Sequence, residues 1–170
     1  MSQQPDQRPV PGDERDRDPA GRARNARPRD AAGRPMAKGD PGVDRVPEDL
    51  ELRPAQALAE AQRLLDAGLP FQAHEVLEGT WKATEGVERP LWQGLAQLAV
   101  GLTHAQRGNS TGAAALLERG AERIAPFAAE PPHGLDVAGL SAHASGLADR
   151  VRADGLGALT EADRRPRLCR

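Results

Sequence analysis

From Leu50 onward, apolar residues recur at steps of three and four, the period of a helix buried along one side. Leu58, Ala61 and Leu65 mark a first helix, opened by Pro54 and stopped by Gly68. Pro70 opens a second, predicted over residues 70–84, and "EGVERP" breaks it. Pro90 opens a third, to about residue 107, in which Leu91, Leu95, Leu98 and Leu102 form one stripe. This third helix is apolar around most of its circumference, which places it centrally. After "RGNS", with Gly108 as a stop and Asn109 or Ser110 as a cap, a fourth helix runs to about residue 125. Val137, Leu140, Ala144, Leu147 and Val151 mark a fifth. A turn of helix is expected over residues 160–164.

No segment alternates with a period of two, so the expected fold class is all-α. Short connections make consecutive helices antiparallel neighbours, giving a compact bundle of about five helices built from helical hairpins. The expected domain spans residues 50–154, with 155–170 as a C-terminal tail of unassigned order.

Residues 1–49 depart from this pattern. They contain no Leu, Ile, Phe or Trp, and hold eight of the fifteen prolines together with ten basic and ten acidic residues. Such a stretch cannot bury enough apolar surface to offset an ordering cost of about 1–2 kcal/mol per residue. It reads as a disordered Pro/Arg/Asp-rich tail, or as an over-extended start with Met36 as the initiator. Interleaved aspartates cancel most of the field of its arginines.

Composition narrows the function classes. Phe71, Trp81, Trp92 and Phe127 are the only aromatics, so the core must be built from Leu, Ala and Val, with Trp92 and Phe127 expected inside it. A net charge of −2 disfavours nucleic acid and anionic lipid as partners. Cys169 is the only cysteine, which excludes an intrachain disulfide. No apolar run is long enough to cross a bilayer and "MSQQPDQRPV" lacks a signal-peptide core, so a cytoplasmic, non-membrane protein is the expectation.

The candidate chemistry lies in "FQAHEVLEGTW", residues 71–81. His74, Glu78, Trp81 and Glu85 follow one another by four, three and four, with Phe71 on the same line, so they share a helix face. Gly94, Gln97, Gly101 and His104 repeat that spacing on the third helix. A hairpin centred near residue 87 then sets His74 opposite Gly101 to His104, Glu78 opposite Gln97, and Trp81 opposite Gln93 and Gly94. The glycines would make room for the indole.

Three readings of this seam stay open: a structural hydrogen-bond network, a divalent-metal site of His74, Glu78 and His104, and a pocket for a small molecule, protein or peptide. Glu75 points about 100° away from His74 and reads as solvated or as its supporting partner. His133 and His143 read as surface residues, and Arg107 as a response to the helix dipole. No Ser or Cys nucleophile joins the set and no phosphate loop exists. The leading expectation is therefore a binding or interaction module with a polar His/Glu/Trp pocket between helices 2 and 3. A metal-dependent enzyme is the alternative, and homo-oligomerisation is left open.

"GLPFQAHEVLEGTW" and "RPLWQGLAQLAVGLTHAQRGNSTGAAALLERG" resemble the domain-of-unknown-function family 309, small helical proteins of bacteria and archaea. The resemblance is strongest over residues 68–122. It implies an all-helical domain and makes His74, Glu75, Glu78, Trp81, Gln93, Gly94, Gln97 and His104 signature positions. It implies no activity. Thr103 stands where the family pattern has a Tyr or similar residue.

Overall fold

The computed structural model describes residues 27–44, 46–47 and 52–170. Of the expected tail, residues 1–26 lie outside the described residues, as does Leu50 at the expected domain start.

The fold is an all-α bundle of five helices: α1 (Pro54–Asp66), α2 (Pro70–Ala83), α3 (Arg89–Gln106), α4 (Ser110–Ile124) and α5 (Val137–Asp154). Proline opens the first three, where its missing N–H has no helical acceptor to lose. Side-chain caps open the other two: Asn109 accepts from the Gly112 amide at 2.9 Å, and Asp136 from Gly139 at 3.3 Å. Gly68 and Gly108 follow α1 and α3 with φ of 73° and 81°, the left-handed conformation that ends a helix at little cost to glycine.

Each helix packs against the next in chain order. Two hydrogen bonds fix the antiparallel sense of the α2–α3 hairpin. At one end Gln106 donates to the Gly68 carbonyl at 3.1 Å, and at the other Arg89 donates to the Trp81 carbonyl at 3.1 Å. The core runs along α3, whose Leu91, Trp92, Leu95, Leu98, Ala99 and Leu102 are all buried. Trp92 is fully inside, as its sequence context implies, and Phe127 packs half-buried against the core.

Small residues set how closely α3 and α4 approach. A Cβ on Gly94 would lie 2.6 Å from Ile124 and 3.1 Å from the Gly120 carbonyl. One on Gly101 would lie 2.8 Å from Leu117. These glycines therefore admit α4, whereas the sequence pattern had assigned them to the indole of Trp81.

The C-terminal residues are part of the fold. Gln62 of α1 donates to the Pro166 carbonyl at 3.1 Å and accepts from the Leu168 amide at 2.7 Å. Leu168 is buried, and Leu135 and Cys169 pair as an isolated antiparallel bridge. The turn expected at 160–164 is a hydrogen-bonded turn in which Thr160 and Asp163 bond each other reciprocally, with Arg150 donating to Asp163 at 2.6 Å.

Within the stretch expected as a tail, residues 28–36 form a small hairpin. The Gly33 amide donates to the Asp30 carbonyl at 2.9 Å, the Asp30 side chain accepts from the Arg34 amide at 2.8 Å, and Arg29 and Pro35 pair as a bridge. Gly33 takes a φ of 73° at the turn. Asp at the first turn position and Gly at the fourth are what such a turn favours.

Candidate functional site

Helix α2 turns one side toward the core, burying Ala73, Val76, Leu77 and Thr80. Its other positions form a half-buried line along the surface: Phe71, His74, Glu75, Glu78 and Trp81. Four-residue spacing stacks three of its charged or titratable groups into a ladder. His74 Nε2 lies 4.0 Å from Glu78 Oε2, and Lys82 Nζ lies 3.3 Å from Glu78 Oε1. The His74 side chain is 21% exposed. Burial holds its pKa below the ordinary 6.5, and the cations Lys82 and Arg107 push the same way against Glu78. His74 is therefore a neutral imidazole near pH 7, free to donate from one nitrogen and accept at the other.

At the start of this line, Phe71 is flanked by charge. The Arg29 and Arg107 guanidinium carbons lie 5.2 and 5.5 Å from its ring centroid, and the His74 ring lies 6.1 Å away. At the other end, Trp81 packs against the core with Arg89 above its ring at 5.4 Å. Beside the line, Glu75, Glu78, Gly79 and Lys82 wall a groove of about 410 Å³ with Val46, Pro47 and Leu52.

The partners expected across the hairpin are elsewhere. Gln93 and Gln97 both accept from Arg123 of α4, at 2.7 and 3.2 Å. His104 Nδ1 sits 2.8 Å from the Asn109 side-chain nitrogen, bracing the α3–α4 turn. The flank carrying Gln93, Gly94, Gln97, Gly101 and His104 thus serves α4, and the seam drawn between it and α2 is corrected. All three readings drawn on the seam lose that geometry, the pocket between helices 2 and 3 included, because the α3 flank is occupied by α4. Trp81 Nε1 is buried without a protein partner, so no Glu78–indole–Gln97 network forms. Among the described residues no three His, Cys, Asp or Glu side chains gather as metal ligands. His74, Glu78 and His104 therefore do not assemble the two-histidine, one-carboxylate set.

Arg107 does more than answer a helix dipole. Besides contacting Phe71, its Nε donates to the Ala32 carbonyl at 2.6 Å, and its own carbonyl accepts from Arg34 at 3.1 Å. These contacts across more than seventy positions have no periodic signal. His133 and His143 are likewise bonded: His133 to Glu88 at 2.7 Å, with its ring 5.8 Å from that of Trp92, and His143 to the Asp163 carbonyl at 3.0 Å.

No helix of the described residues is long and apolar enough to cross a membrane. The model of a family described as a domain of unknown function (DUF309) matches residues 58–116, from α1 into α4. Neither a curated protein nor a solved structure matches the chain.

Proposed function

We propose that the segment matching the DUF309 family model, residues 58–116, is a binding module whose recognition face is the outer side of α2. One observation carries the reading: Phe71, His74, Glu75, Glu78 and Trp81 lie half-exposed along one surface line. A histidine and a carboxylate kept for architecture alone would be enclosed and fully bonded. Here Glu75 and Glu78 meet a groove whose volume of about 410 Å³ lies within the range of about 300–1,000 Å³ usual for ligand sites. Its walls combine carboxylates, an ammonium and apolar Val46, Pro47 and Leu52. That mixture suits a polypeptide segment, whose main chain takes the polar groups while a side chain takes the apolar wall.

Two measurements on the full chain test this. Glu78→Gln changes stability by less than about 0.5 kcal/mol, because the pair it weakens is solvated. In titrations with a pool of short peptides, amide NMR shifts centre on Phe71–Lys82 and disappear in Glu78→Gln. A loss of about 1–3 kcal/mol in that variant would return the carboxylate to a structural role. Shifts confined to other helices would refute the face.

A further inference from the structure

The hairpin of residues 28–36 lies outside the segment matched by the family, while the groups that receive it, Phe71 and Arg107, lie inside that segment. Its seat is built from few contacts. Gly33 lies flat on the Phe71 ring, so closely that a Cβ there would overlap ring carbons. Arg107 donates to the Ala32 carbonyl, Arg34 donates to the Arg107 carbonyl, and the Arg29 guanidinium lies over the ring. Ala32 is the hairpin's one buried apolar side chain among the described residues.

Two features make this seat specific and reversible. Among the described residues Phe71 is not one of the hydrophobic side chains packed on the core, and its ring carries Gly33 and Arg29 of the hairpin. The contact also brings like charges together. Burial first, and then Arg29 and Arg34, hold the Arg107 pKa below its ordinary value, with Asp30 opposing them. Ring contact and carbonyl hydrogen bonds thus keep the hairpin down against repulsion among three guanidinium groups.

We infer that the Phe71–Arg107 end of α2 is a docking surface for a tight glycine turn, filled in cis by residues 28–36, which a partner polypeptide presenting such a turn must displace. The inference rests on the recognition face proposed above and names what its amino-terminal end receives. A glycine in the left-handed conformation is required because any side chain would strike the ring. The Ala32 carbonyl, immediately before that glycine, meets the Arg107 donor.

The test uses two full-length variants that approach the contact from opposite sides. Gly33→Ala removes the turn's fit, and Phe71→Ala removes the platform while leaving the hairpin sequence intact. Each is expected to speed limited tryptic cleavage after Arg29 by about tenfold or more, for Gly33→Ala the scale of a left-handed alanine's penalty, without speeding cleavage after Arg63 or Arg123 inside α1 and α4. A labelled peptide of residues 27–44 is then expected to bind Gly33→Ala, whose site is vacated, at least about tenfold more tightly than wild type. It is expected not to bind the Gly33→Ala/Phe71→Ala double variant. Unchanged cleavage in both single variants would overturn the cis occupant while leaving the recognition face intact. Released hairpins without binding in trans would overturn the docking surface itself.

Discussion

The closest approach of α3 and α4 makes a prediction whose sign depends on which glycine is changed. Gly79 and Gly120 both lie within helices, where replacing glycine with alanine gains about 0.8–1 kcal/mol of intrinsic helical preference. At Gly79 nothing lies within 4 Å of an added Cβ, so Gly79→Ala is expected to keep that gain. At Gly120 the Cβ would sit 2.6 Å from a Leu98 methyl and 2.9 Å from the Gly94 carbonyl oxygen. Leu98 can turn aside, but a carbonyl within a helix cannot. Restoring ordinary contact requires the two helices to part by about half an ångström, in an interior packed too tightly to absorb it. Overpacking of this kind costs about 1–3 kcal/mol, so after the helical gain Gly120→Ala is expected to lose up to about 2 kcal/mol net.

Because the Gly94 Cβ would meet the Gly120 carbonyl in turn, either substitution opens the same gap. The double variant Gly94→Ala/Gly120→Ala should therefore lose less than the sum of the two single losses, by about 0.5–2 kcal/mol. Urea unfolding with matched slopes measures all four proteins, and thermal melts should move by about 2–4 °C per kcal/mol. Stabilisation by Gly120→Ala, or strict additivity in the double variant, would refute the account of this interface.

Two predictions concern pH. His74 has a lowered folded pKa, so below 6.5 the unfolded chain binds more protons than the folded one and stability rises with pH through that window. Its imidazole resonance should titrate below pH 6.5, and His74→Gln should flatten the acid-side slope of urea stability between about pH 5 and 6.5; an unchanged slope would sink this. Asp163 is held well below the usual carboxylate range by the Arg150 hydrogen bond, then by the amide and hydroxyl of Thr160. Its contribution is present above the unfolded pKa near 3.8 and is lost as pH falls through the folded value. Discounted for solvent screening, Asp163→Asn should cost about 1 kcal/mol at pH 7, a difference that shrinks in strong acid; equal stability at both extremes would contradict it.

Helix boundaries were legible because proline and glycine write them locally. Pro54, Pro70 and Pro90 each open a helix, and Asn109 is the cap it resembles. The antiparallel hairpin was legible too, from the shortness of its loop. The choice of neighbour was not. A helix apolar on most of its circumference fits a partner on either flank, and nothing in α3 alone says whether α2 or α4 takes the glycines. Arg123, which satisfies both Gln93 and Gln97, lies 30 and 26 positions away and carries no periodic link to them.

The hairpin at residues 28–36 was hidden for another reason. Counting apolar residues measures the capacity to form a core, and this segment forms none. Its signal is the Asp30-to-Gly33 turn, too short to stand out within a run rich in Pro, Arg and Asp. Within α2 the line of Phe71, His74, Glu78 and Trp81 was read as one face, and the structure keeps it so. That it faces outward followed from α3 turning its glycine flank to α4.

The seat of Gly33 on Phe71 joins two residues that are 38 positions apart, 71 minus 33, on one chain. Tethering makes the strength of that contact a threshold. A tethered turn competes at an effective concentration of roughly millimolar, whatever the amount of protein. If the closed form outweighs the open one roughly tenfold, every external turn binds roughly tenfold more weakly than the bare surface allows. Adjusting a single loop outside the family segment would then reset the affinity of the module for all of its partners together, leaving their rank order untouched.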